Sequence, residues 1–211
     1  MSDNLGIGAF EASDELKKEL GVLWHRGSEL MGNQLETRVG IRERWKADAG
    51  DLIDAHQFAF SIVANEVLKK EGIPAKGSKS IDERLSLIAS FVQGVDICET
   101  TISEALYVQA STLLKQELET IAAIDELAQE RRKDRRTPNV GNSRFPWMRD
   151  VYGDLNAAAH VGDAEVLRGL VSRRISKEVA GAALHPIYNR DLSFYFYGPS
   201  GIANYSPSLA N

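Results

Sequence analysis

DICETTISEALYVQASTLLKQELETIAAIDELAQERRK, from Asp96 to Lys133, is the longest run of the chain free of the Gly and Pro that punctuate it elsewhere. Steps of about 100° per residue gather Ile102, Leu106, Ala110, Leu113, Ile121, Ile124 and Ala128 into one apolar stripe. This predicts a single long helix, opening after Gly94, as the most buried element of the molecule. Glu117 falls in the middle of the stripe. A carboxyl there must be paired, hydrogen-bonded or protonated. It is either an acid, base or ligand-binding group or a structural partner of a nearby Arg, Tyr or His.

Working outward, helical spacing recurs on both sides. Ser13 is placed to cap a first helix carrying Leu16, Leu20, Leu23, Leu30 and Met31, with Gly32 and Gly40 expected to break it before Trp45. A second helix is expected from Asp51 to Lys70, followed by a loop at Gly72, Pro74 and Gly77. Ser80 with Glu83 three residues on is a capping-box pattern opening a third helix to about Gln93. After a loop over Asn139 to Pro146, helices are expected over Trp147–His160 and Glu165–Arg174. Nothing alternates with period two for long. The fold expected is all-α, a helical bundle around one long central helix over residues 1–180. An irregular aromatic-rich C-terminal tail, residues 181–211, should pack on the bundle or a partner. That tail holds Tyr188, Phe194, Tyr195, Phe196, Tyr197 and Tyr205, side chains that hydrate poorly.

On Trp147–His160, Met148, Val151, Leu155 and Ala159 form an apolar face, and Arg149, Tyr152, Asn156 and His160 form a polar strip. The strip could bind an anion or supply an acid or base, with His160 titrating near neutral pH, or it could lock this helix onto Glu117. The run Arg131, Arg132, Lys133, Arg135, Arg136 is a candidate anion contact, extended by Arg144 and Arg149. Its structural reading is a basic last turn meeting the negative end of a helix dipole. Charge is uneven: 13 basic and 23 acidic residues up to Glu130, 12 basic and 7 acidic after it, for a net −5. This suits either an anionic partner for the basic part or pairing between the two parts.

LLKQELETIAAIDEL (Leu113–Leu127) followed by YGDLNAAAH (Tyr152–His160) resembles an uncharacterised group of bacterial helical proteins. These have a basic residue and a Glu one turn apart on a long helix, then a Tyr-x-x-Leu-Ser/Asn-x-x-x-His segment. Lys115 and Glu119 match the first pair; Tyr152, Leu155, Asn156 and His160 match the second. The resemblance spans about Ile81 to Val161. It implies an all-helical fold and no particular activity.

Several classes are disfavoured. No His follows an Arg by four to six residues, the spacing of a helical nuclease class, and no Glu-x-x-His of a bundle di-iron site occurs. No phosphate loop, nucleophile elbow or nucleotide fingerprint is present, and Cys98 reads as a small buried residue. No metal or cofactor is expected. His56 reads as a satisfied core histidine. No run of about 18 uninterrupted apolar residues and no basic-led leader is seen, so neither a membrane span nor export is expected. The single cysteine fits a reducing cytoplasm. The expected function is that of a non-enzymatic helical interaction or scaffold protein, with a protein partner or self-association. One alternative is an enzyme acting on a phosphate-bearing substrate or nucleic acid through His160, Arg149 and Glu117. Another is a nucleic-acid-binding accessory protein using Arg131 to Arg149.

Overall fold

A computed structural model describes residues 13–70, 72, 77–133, 135–160, 163–174 and 180–198. Within them the chain is all-α: α1 (Asp14–Leu68), α2 (Lys79–Ser103), α3 (Tyr107–Ala128), a 3-10 turn (Val140–Asn142), α4 (Trp147–Ala159), α5 (Ala164–Val171) and α6 (Arg190–Tyr197). The only strands among the described residues are β1 (Ser172–Arg174) and β2 (Ala180–Ala182), paired antiparallel with Arg173 opposite Gly181. The helix expected over Glu165–Arg174 thus stops at Val171 and its last residues enter this hairpin.

Ser13 caps α1 as expected, its Oγ accepting from Leu16 N–H at 3.2 Å. Gly32 and Gly40 do not break the helix, which runs for 55 residues with its single kink at Ala49 (φ −137°, ψ 24°). A helical Gly costs about 1 kcal/mol against Ala, too little to end a helix whose neighbouring turns hold. At the start of α2 the cap is Ser78, not Ser80: its Oγ accepts from Ile81 N–H at 3.3 Å. Gly94 lies within α2 and breaks nothing.

The single helix expected over Asp96–Lys133 is two helices. At Ala105 φ is +58°, with Ala105 N–H returning to Ile102 O at 3.1 Å and Leu106 N–H to Thr101 O at 2.8 Å. The same closure ends α3: Glu130 has φ +55°, its N–H returns to Leu127 O, and Arg131 N–H returns to Glu126 O at 2.8 Å. A left-handed residue just past the last turn satisfies the terminal carbonyls, a task Gly usually performs. With Ala and Glu in that role, neither end is marked in the sequence.

α3 is the central element, flanked by α2, α4 and α6. The core joins Ile41 and Trp45 of α1, Cys98 and Ile102 of α2, and Tyr107, Ala110, Leu118 and Ala122 of α3. Met148, Val151 and Leu155 of α4 and Leu192 and Phe196 of α6 complete it. Leu113 and Ile121 are half-buried at its edge. The aromatic tail, up to Gly198, packs on the bundle. Phe194 lies edge-on to Trp45 at 5.1 Å and Phe196 stacks on Tyr107 at 5.7 Å. The buried Tyr107 hydroxyl donates to Asn189 O and accepts from Asn189 N–H, both at 2.9 Å. Part of the tail expected to be irregular is thus a helix, α6, capped by Asn189. Tyr205 lies outside the described residues.

By length and composition α2 could cross a membrane, with a mean hydropathy of 1.3 in its most apolar window, which the count of uninterrupted apolar residues did not flag. Its Cys98 and Ile102 are nonetheless packed in the core.

Candidate functional site

α4 lays Met148, Val151 and Leu155 on α3, which brings one edge of each helix together. On α3 that edge carries Lys115 and Glu119, one turn apart and 3.7 Å from each other. On α4 it carries Tyr152 and His160. The Tyr152 hydroxyl donates to Glu119 Oε1 at 2.6 Å, and Lys115 Nζ donates to His160 Nε2 at 3.2 Å. Burial and the Glu119 carboxylate push the Tyr152 phenol up to about 12, so it stays protonated. Asn156 sits half-buried between them on the same face. The two pairs quoted from the sequence therefore meet, in a small array open to solvent at His160.

Glu117 and Arg149 do not join it. Residues 115 and 119 lie about 40° apart on the helix, and residue 117 about 200° from the first, so Glu117 faces away from Tyr152 and His160. Arg149 pairs with its exposed neighbour Asp150 at 3.5 Å. The expected union of Glu117 with Arg149, Tyr152, Asn156 and His160 is corrected accordingly: Glu119 and Lys115 take the strip.

Glu117 instead faces α2 and α1. A Cβ at Gly94 of α2 would stand 3.6 Å from Glu117 Oε1, an ordinary contact, so this glycine marks where Glu117 meets α2. That oxygen is buried and has no hydrogen-bond donor among the described residues. Burial pushes the carboxyl up to about 7, and only the Cys98 thiol draws it back. Cys98, 3% exposed, is itself raised far above a normal thiol by burial and by the Glu117 and Glu99 carboxylates, so it is no nucleophile. Glu99 accepts from the Tyr197 hydroxyl at 2.8 Å and lies 3.4 Å from His56 Nδ1, whose ring sits 5.1 Å from that of Tyr197. His56, expected in the core, is in fact about one-third exposed, at the rim of this group.

The basic run builds a loop. α3 ends at Ala128, so Arg131 and Arg132 lie beyond its last turn. Arg132 donates to Glu126 Oε2 at 3.3 Å and to Arg136 O at 2.8 Å, while Arg131 reaches Asn142 O at 3.2 Å. Buried Asp125, which the sequence reading passed over, accepts from the Arg144 side chain and backbone and from Gln129. Burial raises its carboxyl, but these bonds outweigh that and leave it below its ordinary value. Lys133, Arg135 and Arg136 are exposed. Arg131, Arg132 and Arg144 of the basic part thus pair with Asp125 and Glu126 of the acidic part.

One more surface stands out. Gln34 Nε2 donates to Leu184 O at 2.7 Å, and N-terminal to this contact every residue from Lys17 to Asn33 is exposed. Leu20, Leu23, Trp24, Leu30 and Met31 lie there on the continuation of the face that carries Ile41 and Trp45 into the core; Trp24 is 79% and Met31 72% exposed. Among the described residues no three His, Cys, Asp or Glu side chains are placed to hold a metal. No family model, no curated protein and no solved structure matches this chain.

Proposed function

We propose that the protein is a helical interaction protein that self-associates through the N-terminal half of α1. The observation that carries this reading is the apolar arc from Leu16 to Leu35 at the N-terminal end of a helix of about 80 Å, where every residue from Lys17 to Asn33 is exposed, on the face that further along helps to build the bundle. These apolar side chains recur at helical spacing on one face and have no neighbour among the described residues, the arrangement by which helices anchor one another. Contiguous exposed apolar patches are rare on monomers and mark interaction surfaces. A second copy presents the same stripe, so a two-fold pairing buries it on both chains at once.

Phosphate chemistry through His160, Arg149 and Glu117 lacks geometric support, because the three side chains belong to three separate neighbourhoods. Nucleic-acid binding by the basic run is weakened by the internal ties of Arg131 and Arg132.

Light scattering after gel filtration tests the reading. The expected native mass is twice that of one chain or more, and Leu23→Glu with Met31→Glu should return it to one chain with the helical circular dichroism of the bundle retained. A wild-type protein that stays single-chain at about 100 μM would overturn it, since an interface of ordinary size holds well below that concentration.

A further inference from the structure

Between α1, α2, α3, α4 and α6 lies a cavity of about 260 Å³. Phe91, Trp147, Tyr195 and Tyr197 form much of its wall, and the Glu117 carboxyl lines it. The Tyr195 hydroxyl donates to Asp154 and that of Tyr197 to Glu99, which leaves their rings as the lining. The volume lies just under the roughly 300–1,000 Å³ that drug-sized ligands occupy, so it suits a smaller one.

Three observations give the cavity a sign. Glu117 Oε1 is buried with no hydrogen-bond partner among the described residues, and the one donor that acts on this carboxyl is the neutral Cys98 thiol. Glu99 stands just behind the wall, accepting from the Tyr197 hydroxyl at 2.8 Å and lying 3.4 Å from His56, two residues that line it. Among the described residues neither lysine nor arginine lines the wall; His56 is the one basic group there, and it lies against Glu99 at 3.4 Å.

We infer that this cavity is a binding site for a small organic cation: a primary or secondary ammonium on an apolar body about the size of one aromatic ring, held by Glu117 between the aromatic side chains. Ring faces attract cations, and more strongly once both are out of water. The ammonium supplies the charged donor that the Glu117 carboxylate lacks, so carboxylate and cation each replace lost hydration with a partner. An anion of the same shape would meet Glu117 and Glu99 together. A neutral alcohol of that shape gains the apolar contact and one hydrogen bond but leaves the charge of the carboxylate unpaired. The inference is independent of self-association, because Leu23 and Met31 lie outside the cavity wall.

Calorimetric titration of the full-length protein with three probes of one shape tests it: phenethylammonium, 2-phenylethanol and phenylacetate. The wild-type protein should bind the ammonium at least about tenfold more tightly than the alcohol, and should bind phenylacetate most weakly. Glu117→Gln should keep the alcohol's affinity and erase the preference for the ammonium. Should that variant fail to fold, the ranking of the three probes on the wild-type protein decides alone. Equal binding of ammonium and alcohol, tighter binding of phenylacetate, a preference that survives in Glu117→Gln, or no binding of the ammonium up to about 10 mM would each overturn the assignment.

Discussion

Glu117 shows how a single side chain couples the stability of the bundle to pH. Burial raises its carboxyl from 4.5 to about 7, so the folded chain holds a proton that the unfolded chain releases. Stability from this group is fully present below about 4.5 and is lost as pH rises through about 7. Part of the side chain reaches solvent, which reduces the effect to about 1–3 kcal/mol across that window. Glutamine keeps the shape and cannot ionise. Glu117→Gln should therefore be more stable than wild type by that amount at pH 8, with the gap closing toward pH 4.5, as read from urea unfolding of both proteins at each pH. A gap independent of pH would show that the carboxyl is hydrated. Asp125 works in the opposite sense, because its depressed carboxyl contributes stability that is lost as pH falls. The comparison of wild type with Glu117→Gln cancels that contribution.

The helix boundaries turn on a few tertiary contacts. The break between α2 and α3 is held by Glu104, 1% exposed, to which both Arg38 and Arg42 of α1 donate. Removing both arginines from such a pair leaves a buried charge alone, a large cost. Ala105 follows at φ +58°, a conformation that Gly adopts freely, Ala at modest cost and β-branched residues hardly at all. Ala105→Gly should change stability by less than about 1 kcal/mol, while Ala105→Val should cost about 2 kcal/mol or more, measured by thermal or urea unfolding. If valine were tolerated as well as glycine, α2 and α3 could run as one helix, as their periodicity suggests. Local signals were legible in part: Ser13 opens α1 at the expected residue and α4 ends one residue short of the span assigned to it, while the cap of α2 is Ser78 and not the expected Ser80. The ends closed by Ala105 and Glu130 were not, because the backbone there is left-handed without a glycine to signal it.

At the scale of the molecule, the C-terminal segment closes the bundle against the helix that begins it. Phe194 and Tyr197 meet Trp45, Phe196 meets Tyr107, and the Tyr188 hydroxyl donates to Asp48 of α1 at 2.6 Å. Phe196→Ala removes the ring at the centre of this closure and should cost about 3–5 kcal/mol, the range for a buried Phe, with the tail becoming sensitive to limited proteolysis. Resistance equal to wild type would place the tail's anchorage elsewhere.

The amino-acid pattern by itself determined that the chain is helical, that its tail must find apolar cover, and that Glu117 sits among apolar residues. Each of these follows from spacing and side-chain chemistry along one element. It also supplied both halves of the Lys115, Glu119, Tyr152 and His160 array without joining them. Tertiary structure decided which carboxylate receives the strip of α4, because packing sets the rotation of one helix against another, and about 200° of rotation separates Glu119 from Glu117. It also decided that α1 continues through two glycines and past the body, and that the arginines after α3 tie down a loop. Those outcomes depend on which groups arrive from distant parts of the chain, and helical periodicity carries no record of them.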